Sequence, residues 1–306
     1  MKIAPYLAHL RARNCSPKTL EDYEGDLRLF EEFLRERGFR VTQVKLQTIS
    51  DFIEYLKHRH NYKTGTTGLA EASIRRRLAS VSGFYDFLSA TSDGKVGNPV
   101  RLLPKIRRSK PLPEVVPEQE IQHLLEGIDV LRDKALFSLF IASGLRLSEL
   151  HQLNRDSIRV KERLLEGKHT TLGVGQVIGK GRKERVFLAD LPTLEIVASY
   201  LLARGQDGAD ALFISGRGQR MSKRAIQERL HYWCGRLGLN RLRVHALRHA
   251  YATRLANAGI PGLVLQELMG HESFAVTQRY FRLKETRLSQ EYFAAMELIR
   301  GEEGQV

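Results

Sequence analysis

Apolar positions along this chain fall mostly at three- and four-residue steps, the spacing of amphipathic helices. Leu20, Tyr23, Leu27, Phe30 and Leu34 form one stripe, opened by Ser16 as an N-cap with Pro17 behind it and closed by Gly38. A second helical segment, from about Ser50 to His58, carries Phe52, Ile53 and Leu56. A third begins at Ser73 and keeps Ile74, Leu78, Val81, Phe84 and Leu88 in register. Between them, Asn61-Tyr-Lys-Thr-Gly-Thr-Thr-Gly68 is too polar and glycine-rich to be predicted as an element. Pro104, Pro111, Pro113 and Pro117 then forbid a continuing helix. We therefore expect a helical domain over 1–103, a linker over 104–117 and a second domain over 118–306.

The second domain changes period. Pro117 opens a helix, and Asp133 to Ala142 is a strongly apolar one. Ile158-Arg-Val, Leu172 to Ile178 and Arg185 to Leu188 predict short strands joined by glycine-rich turns. Helical spacing returns where Ser222 caps a segment with Ile226, Leu230, Trp233 and Leu237 inward. Val244 to Ala258 follows, with Gly259 as its stop, and Pro261 opens a further helix that ends at Gly270. The fold class expected is mainly α with a small β-sheet, an all-helical N-terminal domain preceding an α+β domain.

Charge narrows the range of partners. The 306 residues carry 49 Lys/Arg against 35 Asp/Glu, a formal net charge of +14. Residues 1–110 hold 21 Lys/Arg and 12 Asp/Glu, and the remainder 28 and 23, so both domains are basic. That balance suits a polyanion touching both, such as a nucleic acid, while an ordinary basic surface or a membrane-surface role would give the same sum. Arg75, Arg76 and Arg77 at the start of a helix are placed to meet phosphates, as are Arg107 and Arg108 in the cationic linker. Arg224 and Gln227 lie off their helix's apolar stripe, a composition suited to base edges. Only Cys15 and Cys234 are present, which excludes a disulfide framework or a cysteine-rich zinc module. With no apolar run of about 18 residues and no signal-peptide pattern, a soluble cytoplasmic protein away from membranes is expected.

The candidate chemistry gathers toward the C-terminal end. On a helix over Val244–Ala258, a turn of about 100° per residue puts His245, Arg248 and His249 within an arc of ~100° at its start. His245 and His249 have the i, i+4 spacing of a metal pair, but Ala246 stands where a zinc protease needs Glu, so no metal is expected. His271 follows Gly270 at a turn, and Tyr280 lies nine residues on. Upstream, Arg146 sits among apolar neighbours and must meet an anion. Glu149 is its local candidate, either as a simple structural partner or as the support of an arginine aimed at a ligand phosphate. Lys180 lies in Gly-Lys-Gly-Arg-Lys-Glu, which is not a Walker A loop because Val174 and Gly181 occupy its required Gly and Ser/Thr positions.

The words S-G-L-R-L-S-E-L, G-K-G-R-K-E-R, H-A-L-R-H-A-Y-A-T, L-M-G-H-E-S and Q-R-Y, in this order, resemble those of tyrosine site-specific recombinases, the Xer and phage-integrase family. The resemblance spans essentially the whole chain, departing at Phe281-Arg282-Leu283 and in the glycine-rich loop near 61–70. It implies a SAM-like DNA-binding domain followed by a catalytic domain with Arg146, Lys180, His245, Arg248, His271 and the nucleophile Tyr280. It also implies a homo-tetramer on synapsed DNA, a Holliday junction, and a C-terminal helix over about 287–300 that docks into a neighbouring subunit. The residue types suit those roles. Arginine forks match phosphate, imidazoles titrate near neutrality, and a lysine can protonate the leaving 5′ oxygen. Two guanidiniums would take the place of a metal, and a phosphotyrosyl bond conserves the energy for rejoining without ATP; no cofactor is expected. A type IB topoisomerase and a catalytically silent DNA-binding protein of this fold remain alternatives. The sequence leaves open dimer resolution, cointegrate resolution or element integration, the DNA site, and any accessory protein or second recombinase.

Overall fold

The computed structural model describes residues 1–61, 65–104, 116–165, 168–179, 184–240 and 242–281. The chain divides into two compact units, Met1–Lys110 and Pro111–Val306.

The first unit is built on α1 (Ile3–Ala12), α2 (Pro17–Glu36), α3 (Leu46–His58) and α4 (Glu71–Thr91). Ser16 caps α2 as its sequence predicts, its hydroxyl accepting from the Thr19 amide at 3.1 Å. The stripes then meet: Leu27, Phe30 and Phe33 from α2, Ile49, Phe52 and Leu56 from α3, and Val81 and Phe84 from α4 are all fully buried. Phe30 and Phe52 meet edge to face with centroids 4.8 Å apart. Three features depart from the sequence reading. Helix α1, which had no marked N-cap, buries Tyr6, Leu7 and Leu10. Helix α3 starts four residues early, where the Lys45 amide donates to the Thr48 hydroxyl at 3.4 Å. The segment read as too polar for an element contains a two-rung antiparallel hairpin, β1 (His60–Asn61) with β2 (Thr66–Thr67). Backbone pairing needs no apolar side chain, so polarity alone did not exclude it.

Asp26 is the polar anchor of this unit. It is buried on α2 and accepts two bonds from Arg76, at 2.5 and 2.7 Å, and one from Ser80 at 2.8 Å, all on α4. The anion this arginine needs is thus supplied within the fold.

The second unit carries α5 (Glu118–Gly127), α6 (Leu131–Ser143), α7 (Leu147–Gln152), then β3 (Ile158–Leu165), β4 (Lys168–Ile178) and β5 (Glu184–Asp190). The three strands form one antiparallel sheet in the order β3-β4-β5. Helix α8 (Leu191–Arg204) leaves β5 directly, with Asp190 accepting from the Thr193 amide at 3.3 Å. The rest is α9 (Lys223–Arg236), α10 (Val244–Asn257), α11 (Gly262–Met269), a short α12 (Phe274–Thr277) and a 3₁₀ turn over Gln278–Tyr280. Helix α6 is buried on nearly every side and packs on α8, α10 and β5, which makes it the axis of this unit. An all-round apolar helix is what such a position requires.

One fully buried charge interrupts that apolar helix. Asp133 is 0 % exposed. It accepts from Trp233 Nε1 at 2.9 Å, Arg229 Nε at 2.6 Å and Arg132 Nε at 2.9 Å, tying α6 to α9. Removing the carboxylate would leave buried donors unanswered. Asp133→Ala should therefore cost about 3–5 kcal/mol of stability. Urea unfolding followed by circular dichroism checks this, with a lower midpoint at unchanged slope as the expected result.

Candidate active site

Two left-handed glycines set the frame. Gly144 (φ +57) ends α6 and Gly270 (φ +58) ends α11. Neither tolerates a Cβ: at Gly144 it would lie 2.2 Å from the Tyr251 ring, at Gly270 2.5 Å from Arg185 Cδ. These tight turns expose carbonyls at the negative ends of two helices, and arginines fill the space.

Arg146 is the N-cap of α7. Its Nη1 donates to Glu149 Oε1 at 2.8 Å and its Nη2 to the Gly270 carbonyl at 2.6 Å, while its amide donates to Glu149 Oε2 at 2.6 Å. Arg185 reaches in from β5, donating to Glu149 Oε2 at 2.6 Å and to the carbonyls of Leu268 and Gly144. Arg248, 2 % exposed on α10, donates to the carbonyls of Gly144 and Met269 and lies 3.9 Å from Glu149. Three consecutive carbonyls, Leu268, Met269 and Gly270, are thus each held by a different arginine. Glu149, 2 % exposed, is the carboxylate facing all three.

The electrostatics follow from that count. Burial pushes the Glu149 carboxyl up, but hydrogen bonds from Arg185 and Arg146 outweigh it and leave the pKa below its ordinary value. Burial, followed by the like charges of Arg146 and Arg185, pushes the Arg248 guanidinium down to about 9, opposed by Glu149 and Tyr280. It remains a cation at neutral pH, in a place where an added anion would relieve it.

The histidines and the tyrosine complete the cluster. Tyr280, 7 % exposed, packs with Tyr251, Ala252, Leu265 and Met269. Its hydroxyl is in hydrogen-bond contact with His249 Nδ1. The His245 ring stands edge-on to His249 with centroids 4.4 Å apart. The His271 ring lies nearly parallel to Tyr280 at 6.3 Å, and its Nδ1 is 2.8 Å from the Thr277 hydroxyl.

Two clefts flank the arginines. One of about 710 Å³ includes Arg146, Arg185 and His271 but also Glu184, Glu267 and Glu272. The other, about 330 Å³, is lined among the described residues by Gln227, His231, Arg243, His245 and Arg248 with no acidic side chain. The second is the better match to a polyanion, and it joins Gln227 of α9 to His245 and Arg248 of α10.

The structure therefore brings Arg146, Glu149, His245, Arg248, His271 and Tyr280 into one cluster. Lys180, Arg107, Arg108 and the segment 287–300 lie outside the described residues. Of the arginines expected to meet phosphate, Arg75 pairs with Glu71 at 2.7 Å and Arg76 with Asp26, while Arg77 lies 3.8 Å from Asp26. Arg224 is exposed and pairs with Glu228 at 2.7 Å, and Gln227 is exposed beside it. Sequence reasoning missed Arg185. Its signal was present: β5 alternates, and Arg185 shares the inward face with Phe187 and Ala189. A charge on a buried strand face implies a partner. Among the described residues, no group of three or more His, Cys, Asp or Glu side chains is placed to hold a metal ion, and no helix is long and apolar enough to cross a membrane.

Comparison with known proteins bears on what this cluster is for. Residues 114–287 match the model of the phage integrase family, and residues 3–91 match the phage integrase N-terminal SAM-like domain. The chain belongs to the phage integrase family. Its relatives include the tyrosine recombinase XerC of Actinobacillus succinogenes, 33% identical over 288 residues that cover 92% of this chain and 91% of the relative. The XerC of Myxococcus xanthus is 32% identical over 312 residues, covering 96% and 98%. The same fold is seen in the XerH site-specific recombinase bound to a palindromic difH substrate in a post-cleavage complex, with a TM-score of 0.71 at 20% identity over 92% of this chain and 81% of that one. Of the readings open from the sequence, site-specific recombination is the one the family carries.

In a tyrosine recombinase the Glu149 hub should be visible in stability. Its folded pKa is depressed, so its contribution is complete above the ordinary glutamate value of about 4.3 and is lost as pH falls through the lower folded value. Glu149→Gln should cost about 3–5 kcal/mol near neutrality, since it leaves the arginine cluster without its buried countercharge. The same variant should show a shallower loss of stability below the ordinary glutamate pKa. Denaturant unfolding at a series of pH values checks both.

Proposed function

We propose that this chain cuts and rejoins double-stranded DNA at a defined site through a covalent 3′-phosphotyrosyl bond to Tyr280. The observation that carries this reading is the convergence of three guanidiniums on one carboxylate, with the tyrosine hydroxyl on the same cluster. Such a site has cationic charge to give to an anion. Arg146 and Arg248 hold the two non-bridging oxygens of the scissile phosphate. His245 and His271 donate hydrogen bonds to it, and Lys180 protonates the leaving 5′ oxygen. Glu149 and Arg185 keep the forks in place. The charge compensation a metal would supply comes from arginine, and the phosphotyrosyl bond conserves the energy for rejoining, so neither metal nor ATP is required.

Both units contact DNA, the helical domain over 1–103 and the catalytic domain over 118–306, joined by the basic linker 104–117. Net positive charge on each side of that linker supports this. Exposed Gln227 and Arg224 on α9 and the acid-free cleft beside Arg248 support a groove contact from the catalytic domain. Family membership supports a homo-tetramer that exchanges strands in pairs, with the segment over about 287–300 linking subunits.

Two measurements test the chemistry on a duplex selected from a randomised pool by binding to the full chain. Tyr280→Phe should retain site binding within a few-fold and form no denaturant-resistant, protease-sensitive DNA complex. The wild type should form that complex in excess EDTA without ATP. A complex formed by Tyr280→Phe, or a strict metal requirement, would overturn the assignment.

Lys180→Ala should slow cleavage by roughly 10²–10⁴-fold. A 5′-bridging phosphorothiolate, whose leaving sulfur needs no proton, should restore cleavage to Lys180→Ala but not to Arg146→Ala. Equal rescue of both variants, or of neither, would place the acid elsewhere.

A further inference from the structure

Three imidazoles stand close to the nucleophile, and they are not equivalent. His249 Nδ1 is in hydrogen-bond contact with the Tyr280 hydroxyl, the rings 5.7 Å apart at 43°. His271 meets Tyr280 through a nearly parallel ring 6.3 Å away, with its Nδ1 engaged by Thr277. His245 faces the basic cleft and contacts His249 edge-on at 4.4 Å. His249 Nδ1 therefore lies directly on the path of the phenol proton.

We propose that His249 takes the proton of Tyr280 as the phenol attacks and returns it when the strand is rejoined. This rests on Tyr280 being the nucleophile. In cleavage the Tyr280 oxygen forms a bond to phosphorus while the bond from phosphorus to the 5′ oxygen breaks. The phenol proton moves to the lone pair on His249 Nδ1, and the leaving oxygen takes a separate proton from the acid assigned to Lys180. Rejoining reverses every transfer, so His249 ends neutral and no outside acid or base is consumed. Accepting at Nδ1 places the neutral ring's proton on Nε2. Among the described residues, the titratable groups recorded against the ring are Tyr280 from the 3₁₀ turn and His245 from its own helix, with Arg248 next to it in the chain and His271 stacked on Tyr280 from the turn after α11.

The test uses single-turnover cleavage of the selected duplex carrying the 5′-bridging phosphorothiolate, which removes the acid step and isolates the base. Wild-type rate should fall as pH drops through the imidazole range. His249→Asn, which keeps a polar side chain of similar reach, should be slower by roughly 10²–10⁴-fold near neutrality. It should also lose that acid limb, its rate climbing with pH toward the tyrosine range. His245→Asn, although slower, should keep the limb. A His249→Asn enzyme that retains the limb, or cleaves within a few-fold of wild type, overturns the proposal. If the wild type itself forms no covalent complex, the assignment of Tyr280 fails instead. A readout that needs no cleavage covers a variant that folds poorly: in histidine-labelled protein followed by NMR, Tyr280→Phe should change the His249 pKa. An unchanged value would show that no proton is shared between them and would equally overturn the proposal.

Discussion

A single buried carboxylate holds this site together. Glu149 lies within reach of Arg146, Arg185 and Arg248, which arrive from the N-cap of α7, from β5 and from α10. None of these segments is adjacent in the chain, so the ion cluster closes long loops that apolar packing alone would leave free to shift. Its charge is deliberately incomplete. One negative charge cannot neutralise three guanidiniums, and helix-end carbonyls supply the remaining acceptors without adding negative charge. Stability and the surplus of positive charge therefore come from the same contacts.

Two other buried carboxylates show the contrast. Asp26 and Asp133 also collect arginines, but each does so to join two helices of its own unit. Arg76 and Arg229 are thereby drawn into internal pairs, and a large part of the positive charge visible in the composition is structural. A net charge of +14 is a sound indication of a polyanionic partner, yet it does not identify which arginines meet it. The chain's basic character and its basic site are separate facts.

The helices legible in the sequence were those with a sustained helical pattern: α2, α4, α9 and α10, of which α2 and α9 also open on a capping serine, bury most of the residues their spacing selects. Helix α1 lacked a cap, and α8 began so soon after β5 that its start, Asp190 with Pro192, merged with the strand's end. For the site, Arg146, His245, Arg248, His271 and Tyr280 were recognisable from their words, because glycines, arginines and histidines at fixed spacing survive as a pattern. Of the pairings, only Arg146 with Glu149 was. Arg185 reads locally as one more charge after a glycine-rich turn, and its meaning comes from a strand face visible only once the sheet is formed. His249 falls on the same helical arc as His245, and only the position of the 3₁₀ turn distinguishes which of them meets the tyrosine.

The run Leu268-Met269-Gly270 offers one carbonyl to each of three arginines. Successive carbonyls at a helix end point in different directions, so the three grips cannot be shifted together by a small slide or rotation of α11. Any displacement of this run therefore bears on all three arginines at once. The chain leaving this anchor carries His271 first and Tyr280 ten residues past Gly270. The position of Tyr280 is thereby tied to the run that seats the arginine cluster.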